Sequence, residues 1–288
     1  MNSPIQNSKF TIQNSGDEVL EIRPSSGWRA IDFREIWRFR ELFGILVWRD
    51  LKVRYRQTAL GVVWVVVQPV VSMLIFTFLF NRVAGLKAAE GLPYSVYVFA
   101  ALLPWTFFAS GLSNAGNSLL GSSHLISKVY FPRLIVPAAA VLVGLADMAV
   151  SGLLLAGLML YHRVSPGPTL VLLALPTVLA LALALGMGLW LSALNVEYRD
   201  FRVVIPFLVQ IWTYATPVAY PLAALPAKFR KFAIFNPMTG VVETFRACLF
   251  HLPIPWGMLG VSALEAVVVL VSGAFYFRRM ERQFADVI

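Results

Sequence analysis

The sequence predicts an all-α integral membrane protein with six transmembrane helices, an N-terminal amphipathic interfacial helix and a re-entrant segment between helices 5 and 6. Residues 58–80 carry no charged side chain, and a helix of that length can cross a hydrocarbon core of about 30 Å. Charged residues make up only 14% of the chain and the mean hydropathy is +0.72, whereas soluble domains are about 25% charged. Six spans with both termini in the cytoplasm place 17 of the 24 Lys and Arg residues inside, in agreement with the positive-inside rule.

The N-terminal region is predicted to change character near residue 30. Residues 1–29 are expected to form a polar cytoplasmic tail, and residues 30–288 the membrane domain. Asp32 and Glu35 make a capping-box pattern, and behind it apolar residues recur at helical spacing opposite charged ones. A basic amphipathic helix of this kind lies in the membrane interface. A soluble partner that covers the same apolar face is the alternative.

The spans follow from the apolar segments in chain order. Four basic residues directly precede the first span and hold that end in the cytoplasm: Arg49, Lys52, Arg54 and Arg56. The spans are predicted at residues 58–80, 96–120, 135–160, 169–194, 203–220 and 256–277. Residues 221–254 are interrupted by Asn236-Pro237 and Gly240. This segment is too broken to cross, so we expect it to be re-entrant or interfacial on the external side.

Polar and small residues inside the spans predict how the helices pack. Residues 110–118 of the second span are polar and glycine-rich, so this half is expected to face protein or a water-filled space. In the fourth span, Ala180, Ala184 and Gly188 recur at fourfold spacing. Small residues at that spacing allow two helices to approach closely.

Two acidic residues lie within the spans, Asp147 in the third and Glu265 in the sixth. A charge at such a depth costs about 2.5–3.5 kcal/mol on insertion scales, and no Lys or Arg lies inside a predicted span to pair with it. A proton relay is one interpretation. The favoured interpretation is a hydrogen bond to Ser, Thr or Tyr of a neighbouring helix.

The chain shows no pattern of catalytic, metal-binding or cofactor-binding residues. His124, His162 and His251 fall in different loops, so a shared metal site is not expected, and no Lys stands in a phosphate-loop motif. If ATP drives transport, ATP and Mg²⁺ must bind another subunit. The net charge is +9, and the basic residues that produce it lie beside hydrophobic runs. This placement favours anionic lipid headgroups over nucleic acid as partners. Cys248 is the single cysteine and excludes an internal disulfide.

Four blocks of sequence carry a family resemblance. They are W-R-D-L-K-V-R-Y-R-Q-T-A-L-G-V-V-W-V-V-V-Q-P (48–69), I-S-K-V-Y-F-P-R (126–133), N-V-E-Y-R-D-F-R-V-V-I-P-F (195–207) and F-R-R-M-E-R-Q-F-A-D-V-I (277–288). In this order they resemble the permease subunits of type-2 ABC exporters, within the polysaccharide and O-antigen export branch. The resemblance implies a homodimer of permeases in the bacterial inner membrane. Two ATP-binding subunits would drive the movement of lipid-linked polysaccharide out of the cytoplasm.

The resemblance also implies where the ATPase binds. In such exporters an interfacial helix and the loop between spans two and three contact the ATPase, here residues 30–45 and 122–133, and residues 221–254 would sit at the outer gate. A loop that mixes bases with aromatics next to a proline can insert rigidly into a cleft and transmit a push. Positive-inside anchoring alone would explain the bases of the loop but not its aromatics. The predicted coupling residues are Lys128, Tyr130, Phe131, Pro132 and Arg133 in the loop, with Glu35 and Arg38 in the helix.

A sugar conduit is expected to have an aromatic and nearly uncharged lining, because the C–H faces of sugars stack on aromatic rings. A pore wide enough for a sugar chain calls for a second copy, and a symmetric dimer is the simplest closed assembly. The alternative is an ordinary interfacial belt of Trp and Tyr. The predicted lining is Trp64, Trp105, Phe107, Phe108, Ser113, Asn117, Trp212 and Tyr214, with Asp147 and Glu265 away from the axis.

Other functions stay open at the level of sequence. A type-2 ABC exporter of capsule, teichoic acid, or a small drug or lipid would share the fold and the ATPase. An ATP-independent channel or a membrane scaffold would need no coupling loop.

Overall fold

The computed structural model describes residues 33–56, 61–88, 91–126, 128–198, 200–281 and 284. Over these residues the secondary structure is helical, and no strand is formed. The predicted polar tail and the predicted cap at Asp32 lie outside the described residues. The all-α prediction is therefore confirmed for the described part of the chain.

Eleven α-helices follow one another in the described segments. They are α1 (Phe33–Arg38), α2 (Arg40–Arg56), α3 (Gly61–Phe76), α4 (Tyr94–Gly121), α5 (Ser123–Ile126), α6 (Ile135–Tyr161), α7 (Ala174–Glu197), α8 (Phe201–Ala215), α9 (Ala227–Ile234), α10 (Pro237–Leu249) and α11 (Trp256–Met280). A π-helical turn, Thr77–Val83, continues α3, and a 3₁₀ turn, Pro168–Leu173, leads into α7.

Among the described residues, five stretches of helix are long and apolar enough to cross a membrane. They are Val63–Val83, Tyr94–Gly121, Ile135–Tyr161, Pro168–Glu197 and Trp256–Met280, close to the predicted spans one, two, three, four and six. The first span was expected to end near Phe80, but its helix continues to Val83, so Asn81 and Arg82 lie within the helix rather than in a loop.

The predicted fifth span, residues 203–220, corresponds to α8, which is apolar but only 15 residues long. The helix ends at Ala215 because Pro217 follows closely, and the residue before a proline disfavours the helical conformation. Val203, Phe207 and Ile211 are more than half exposed on α8. The helix therefore presents an apolar face that the rest of the protomer leaves uncovered.

Helix α4 is the centre of the bundle. Inside its span window 78% of the residues are buried, against 11–33% for the other four. The small-residue face predicted on α7 packs here: a Cβ atom on Gly188 would lie 2.5 Å from the Cβ of Ala115, while Ala180 and Ala184 are fully buried. The predicted close packing is confirmed.

The polar half of α4 faces protein. Asn195 of α7 is fully buried, and its amide donates to the carbonyl of Gly116 at 2.9 Å and to Asn117 Oδ1 at 3.2 Å. Ser110 and Ser118 donate to carbonyls of their own helix, a common way to satisfy a hydroxyl in an apolar setting. This half therefore contacts protein in part, and its polar residues stay partly exposed: Ser110, Ser113, Asn114, Asn117 and Ser118.

The segment between α8 and α11 folds into two helices too short to span, α9 and α10. Arg246 of α10 is fully buried. Its guanidinium donates to the carbonyls of Pro217 at 2.9 Å and Val218 at 2.6 Å, and it pairs with Glu243 at 2.9 Å. These partners compensate the burial of its charge, and they fix the chain after α8 against α10.

Candidate functional site

A cluster of buried side chains joins three distant segments at one end of the bundle. We name it the basal junction, and its members have exposed fractions of 7% or less. They are Leu46 of α2, Ile126 of α5, Phe131 of the following loop, Phe277 of α11, and Phe284 beyond α11. Phe277 and Phe284 pack edge to face at 5.4 Å. The two segments implied to contact an ATPase, the N-terminal helix and the loop, therefore share one hydrophobic cluster.

The loop after α5 divides into an exposed tip and an anchored base. Lys128, Val129 and Tyr130 are exposed, Tyr130 by 64%. Phe131 is 4% exposed and Pro132 is buried. The structure thus places Lys128 and Tyr130 on the surface, whereas the ring of Phe131 is used for packing and is not presented to a partner in this conformation.

Arg133 contacts the end of α11. Its backbone N–H donates to Glu281 Oε1 at 3.0 Å, and its Nη1 donates to the backbone carbonyl of Glu281 at 2.6 Å. The guanidinium carbon also lies 6.0 Å from the ring centre of Phe284. The sequence argument did not identify Glu281 as a partner of Arg133. The only sign of it in the sequence is a single acidic residue between two basic ones, Arg279 and Arg282.

The predicted coupling residues of the N-terminal helix are only partly described. Arg38 ends α1 and is exposed, whereas the side chain of Glu35 lies outside the described residues. Trp37 and Trp48 are each 69% exposed, and Arg40 stacks over Trp37 at 5.7 Å. Helices α1 and α2 therefore each present one large ring outward. The two settings predicted for this segment, a membrane interface and a soluble partner, would both cover these rings.

Asp147 on α6 is held by two residues of α2. The hydroxyl of Tyr55 donates to Oδ1 at 2.6 Å, and Arg54 Nη2 lies 2.6 Å from Oδ2. The tyrosine bond matches the favoured prediction. The cation Arg54, which lies outside the predicted spans, also reaches Asp147 because α2 packs alongside α6, and the sequence argument did not foresee this pairing. Burial, together with the bond to Asp147, raises the pKa of Tyr55 to about 12, so its hydroxyl stays a donor at neutral pH.

Glu265 on α11 differs from Asp147. Its Oε2 atom is buried and has no hydrogen-bond partner among the described residues. The predicted bond to a neighbouring hydroxyl is therefore not seen at this atom. Nor do the described residues contain a group of three His, Cys, Asp or Glu side chains that could hold a metal ion.

Three residues predicted to line a conduit lie inside the protomer instead. Trp105, Phe107 and Phe108 are 3%, 2% and 0% exposed. Trp105 and Phe108 pack against Trp212 with ring centres 6.3 Å and 5.1 Å away. The prediction does not hold for these three in this conformation, because their rings touch only protein.

The other predicted lining residues differ in exposure. Trp64 and Tyr214 are 60% and 59% exposed, so their rings are accessible in the protomer. Ser113, Asn117 and Trp212 are partly buried. Asn117 bonds within α4 and accepts from α7, and Trp212 donates through Nε1 to Asn236 at 2.9 Å.

An open cavity of about 500 Å³ lies between the end of α8 and α9. Its aromatic lining is formed by Trp212, Tyr220, Phe229, Phe232 and Phe235. The last three fall in the interrupted 221–254 segment, and the sequence argument did not single them out. Asn236 sits at its wall, with its amide donating to Thr216 Oγ1 at 2.9 Å. This bond and the one from Trp212 fix α8 to the turn between α9 and α10.

Comparison with known proteins gives consistent matches along the chain. The family model described as ABC-2 type transporter matches residues 41–250. The O-antigen export system permease protein RfbA of Myxococcus xanthus is 28% identical over 260 residues, which cover 88% of this chain and 98% of the relative. A protein of the same name from Klebsiella pneumoniae is 24% identical, covering 86% and 95%. The polysialic acid transport protein KpsM of Escherichia coli is 22% identical, covering 81% and 91%.

Proposed function

Because the chain belongs to the ABC-2 type transporter family, we propose that it is the transmembrane subunit of an ATP-driven exporter that moves lipid-linked, O-antigen-like polysaccharide across the bacterial inner membrane. The observation that carries this proposal is the match to relatives named as O-antigen export permeases, which extends over 86–88% of the chain. The match to a polysialic acid transport protein favours a capsule polymer as the second candidate.

The proposed topology has six crossings and both termini in the cytoplasm. In this topology α8 and the chain that follows it make the fifth crossing, α1 and α2 lie at the inner interface, and α9 with α10 form the re-entrant segment. The apolar face of α8 supports the crossing, since Val203 is 77% and Phe207 is 61% exposed. A face of this kind needs lipid or another protein to cover it.

We expect a second copy to complete the conduit. The first span is only 11% buried within the chain, and α8 is also largely uncovered, so we propose these two helices as the interface of a twofold dimer. Trp64 and Tyr214 are their exposed aromatic residues at predicted lining positions. In this arrangement they face the axis, whereas Trp105, Phe107 and Phe108 support the wall from behind.

Two ATP-binding subunits, which carry ATP and Mg²⁺, are the proposed partners on the cytoplasmic side. The exposed tip at Lys128, Val129 and Tyr130 is the proposed contact, and the exposed helix α1 with Arg38 lies in the segment implied to join it. Phe131 and Pro132 hold the tip from inside the basal junction. In this proposal the buried Phe131 supports the loop, and the exposed Tyr130 contacts the ATP-binding subunit.

ATP hydrolysis by the purified chain, alone and in complex with its cognate ATP-binding subunit, tests the proposed function. We expect no hydrolysis by the chain alone, and hydrolysis by the complex that lipid-linked polysaccharide stimulates. A complex with an inactivated ATP-binding subunit is the control. Stimulation by small drugs or lipids alone would favour the small-molecule exporter. A chain that conducts glycans without the ATP-binding subunit would be an ATP-independent channel, and the proposal would be wrong.

A further inference from the structure

Glu281 and Arg133 connect two segments that are 148 residues apart in sequence. One bond uses the backbone N–H of Arg133 and the other its side chain, and on the partner residue one uses the carboxylate and the other the backbone carbonyl. Two hydrogen bonds that join four different groups fix the relative orientation of the segments as well as their distance. Arg278 also approaches the carboxylate, with Nη1 3.3 Å from Oε2.

The contact also satisfies the end of a helix. Glu281 directly follows α11, and the last carbonyls of a helix have no partner within it. The Glu281 carbonyl accepts from the guanidinium of Arg133 at 2.6 Å and from the backbone N–H of Phe284 at 3.4 Å, and a cation is favoured at the negative end of the helix dipole. The arrangement therefore stabilises the C-terminal end of α11 and the loop together.

Buried rings flank the contact on both sides. Phe131 lies two residues before Arg133 and is 4% exposed, and Phe284 lies three residues after Glu281 and is 1% exposed. The Glu281 side chain is itself only 17% exposed. Water competes less for hydrogen bonds in such a setting than on an open surface, so the link is expected to be stronger than a surface ion pair.

The exposed tip has little length over which to move independently. It begins after Ile126, which is 7% exposed in the basal junction, and it ends at Phe131. Both ends of the tip are therefore fixed by buried residues. The hydrogen bonds between Arg133 and Glu281 hold Phe131 against the end of α11.

We infer that Glu281 is a positioning residue for coupling: by holding Arg133 it fixes the base of the loop, so that a push on Tyr130 reaches α11 rather than being lost in loop motion. This inference rests on the proposed function, in which the tip contacts the ATP-binding subunit. If Glu281 has this role, the C-terminal end of α11 takes part in coupling. The exposed tip would still be the part that contacts the ATP-binding subunit.

Hydrogen exchange of the full-length permease tests the positioning step without any assumption about transport. In Glu281→Ala, which removes the acceptor of the Arg133 N–H, amides of residues 128–133 should exchange at least about fivefold faster, since a lost hydrogen bond of about 1 kcal/mol has that effect. Glu281→Gln keeps an acceptor oxygen and should exchange as the wild type does. Asp200→Ala removes an exposed carboxylate near the same end and is the matched control. Unchanged exchange in Glu281→Ala would overturn the inference.

Export per ATP hydrolysed, measured on the purified complex in vesicles, tests the coupling step. This ratio does not depend on how much of a variant folds. For Glu281→Ala we expect a loss of about fivefold or more, with hydrolysis retained and Glu281→Gln close to wild type. Arg133→Ala keeps its backbone N–H and removes only the bond to the Glu281 carbonyl, whereas Glu281→Ala removes only the bond to the carboxylate. The double variant should therefore lose more coupling than either single variant. A wild-type ratio in Glu281→Ala would refute the inference. Absence of export by the wild-type complex would instead refute the proposed function.

Discussion

At the scale of single residues, the clearest lesson concerns charge inside a membrane domain. Asp147 and Arg246 both belong to apolar surroundings, and each is compensated by groups from other segments. The sequence identified Asp147 as costly but could not supply Arg54 as its partner, because that pairing depends on how α2 packs against α6. For Arg246 the sequence showed no sign of burial, since its carbonyl partners Pro217 and Val218 lie on a different segment.

Asp147→Ala is predicted to lower the free energy of unfolding by about 1–3 kcal/mol, because it leaves Arg54 and Tyr55 without their shared acceptor. Asp147→Asn keeps an acceptor for Tyr55 and should lose less. Thermal unfolding of the detergent-solubilised permease measures both effects, with Tyr55→Phe as a variant that removes one bond only. If Asp147→Asn were fully stable but inactive in export, a proton relay would be the better interpretation of this acid.

At the scale of helices, residue spacing predicted which face of a helix is packed, but it did not predict which other helix packs against that face. The small residues of α7 and the polar half of α4 were both interpreted from their own helices, and the structure brings these two faces together. The basal junction was not foreseen, because Leu46, Phe131 and Phe284 each look like ordinary apolar residues in sequence. Only the fold shows that they meet.

Gly188→Ala is predicted to destabilise the packing of α7 on α4 by about 1–3 kcal/mol. The added methyl group would lie 2.5 Å from the Cβ of Ala115, which forces the helices apart. Thermal unfolding in detergent measures the loss. The control is Gly157→Ala on α6, where no atom lies within 4 Å, and there the higher helix propensity of Ala should leave stability equal or slightly raised. Equal effects at the two sites would contradict the close packing.

Tyr130→Ala and Phe131→Ala are predicted to act in different ways although they are adjacent. Phe131 is 4% exposed, so its removal should cost about 3–5 kcal/mol of stability, as for buried rings elsewhere. Tyr130 is 64% exposed, so its removal should leave stability nearly unchanged and reduce export per ATP. Parallel measurements of unfolding and export distinguish the two effects. A strongly destabilised Tyr130→Ala protein would show that the tip is structural.

At the scale of the whole molecule, the described residues leave apolar faces uncovered on the first span, on α8 and on α11. The aromatic residues predicted to line a path divide between the interior and these faces. Sequence composition predicted an aromatic-rich set, but it could not separate rings that build the wall from rings that face a path, since both occur on apolar helices.

A cysteine at Tyr214 is predicted to react with a water-soluble thiol reagent during ATP turnover, because this position is exposed and faces the proposed path between two copies. Phe108→Cys should stay unreactive, since Phe108 is fully buried. Leu153→Cys, on an apolar position of α6 that is 75% exposed, serves as the lipid-facing control. The native Cys248 is buried and adds little background. Equal labelling at 153 and 214 would show that Tyr214 belongs to an interfacial belt.

The most direct test of the central claim is transport by the purified complex in vesicles that contain lipid-linked polysaccharide. The permease and its cognate ATP-binding subunit are reconstituted together, and appearance of the glycan on the opposite side of the membrane is measured with a lectin or glycosidase that cannot cross. We predict ATP-dependent translocation that is lost when either subunit is omitted. Translocation without ATP hydrolysis, or hydrolysis-driven movement of other solutes with none of the glycan, would contradict the claim.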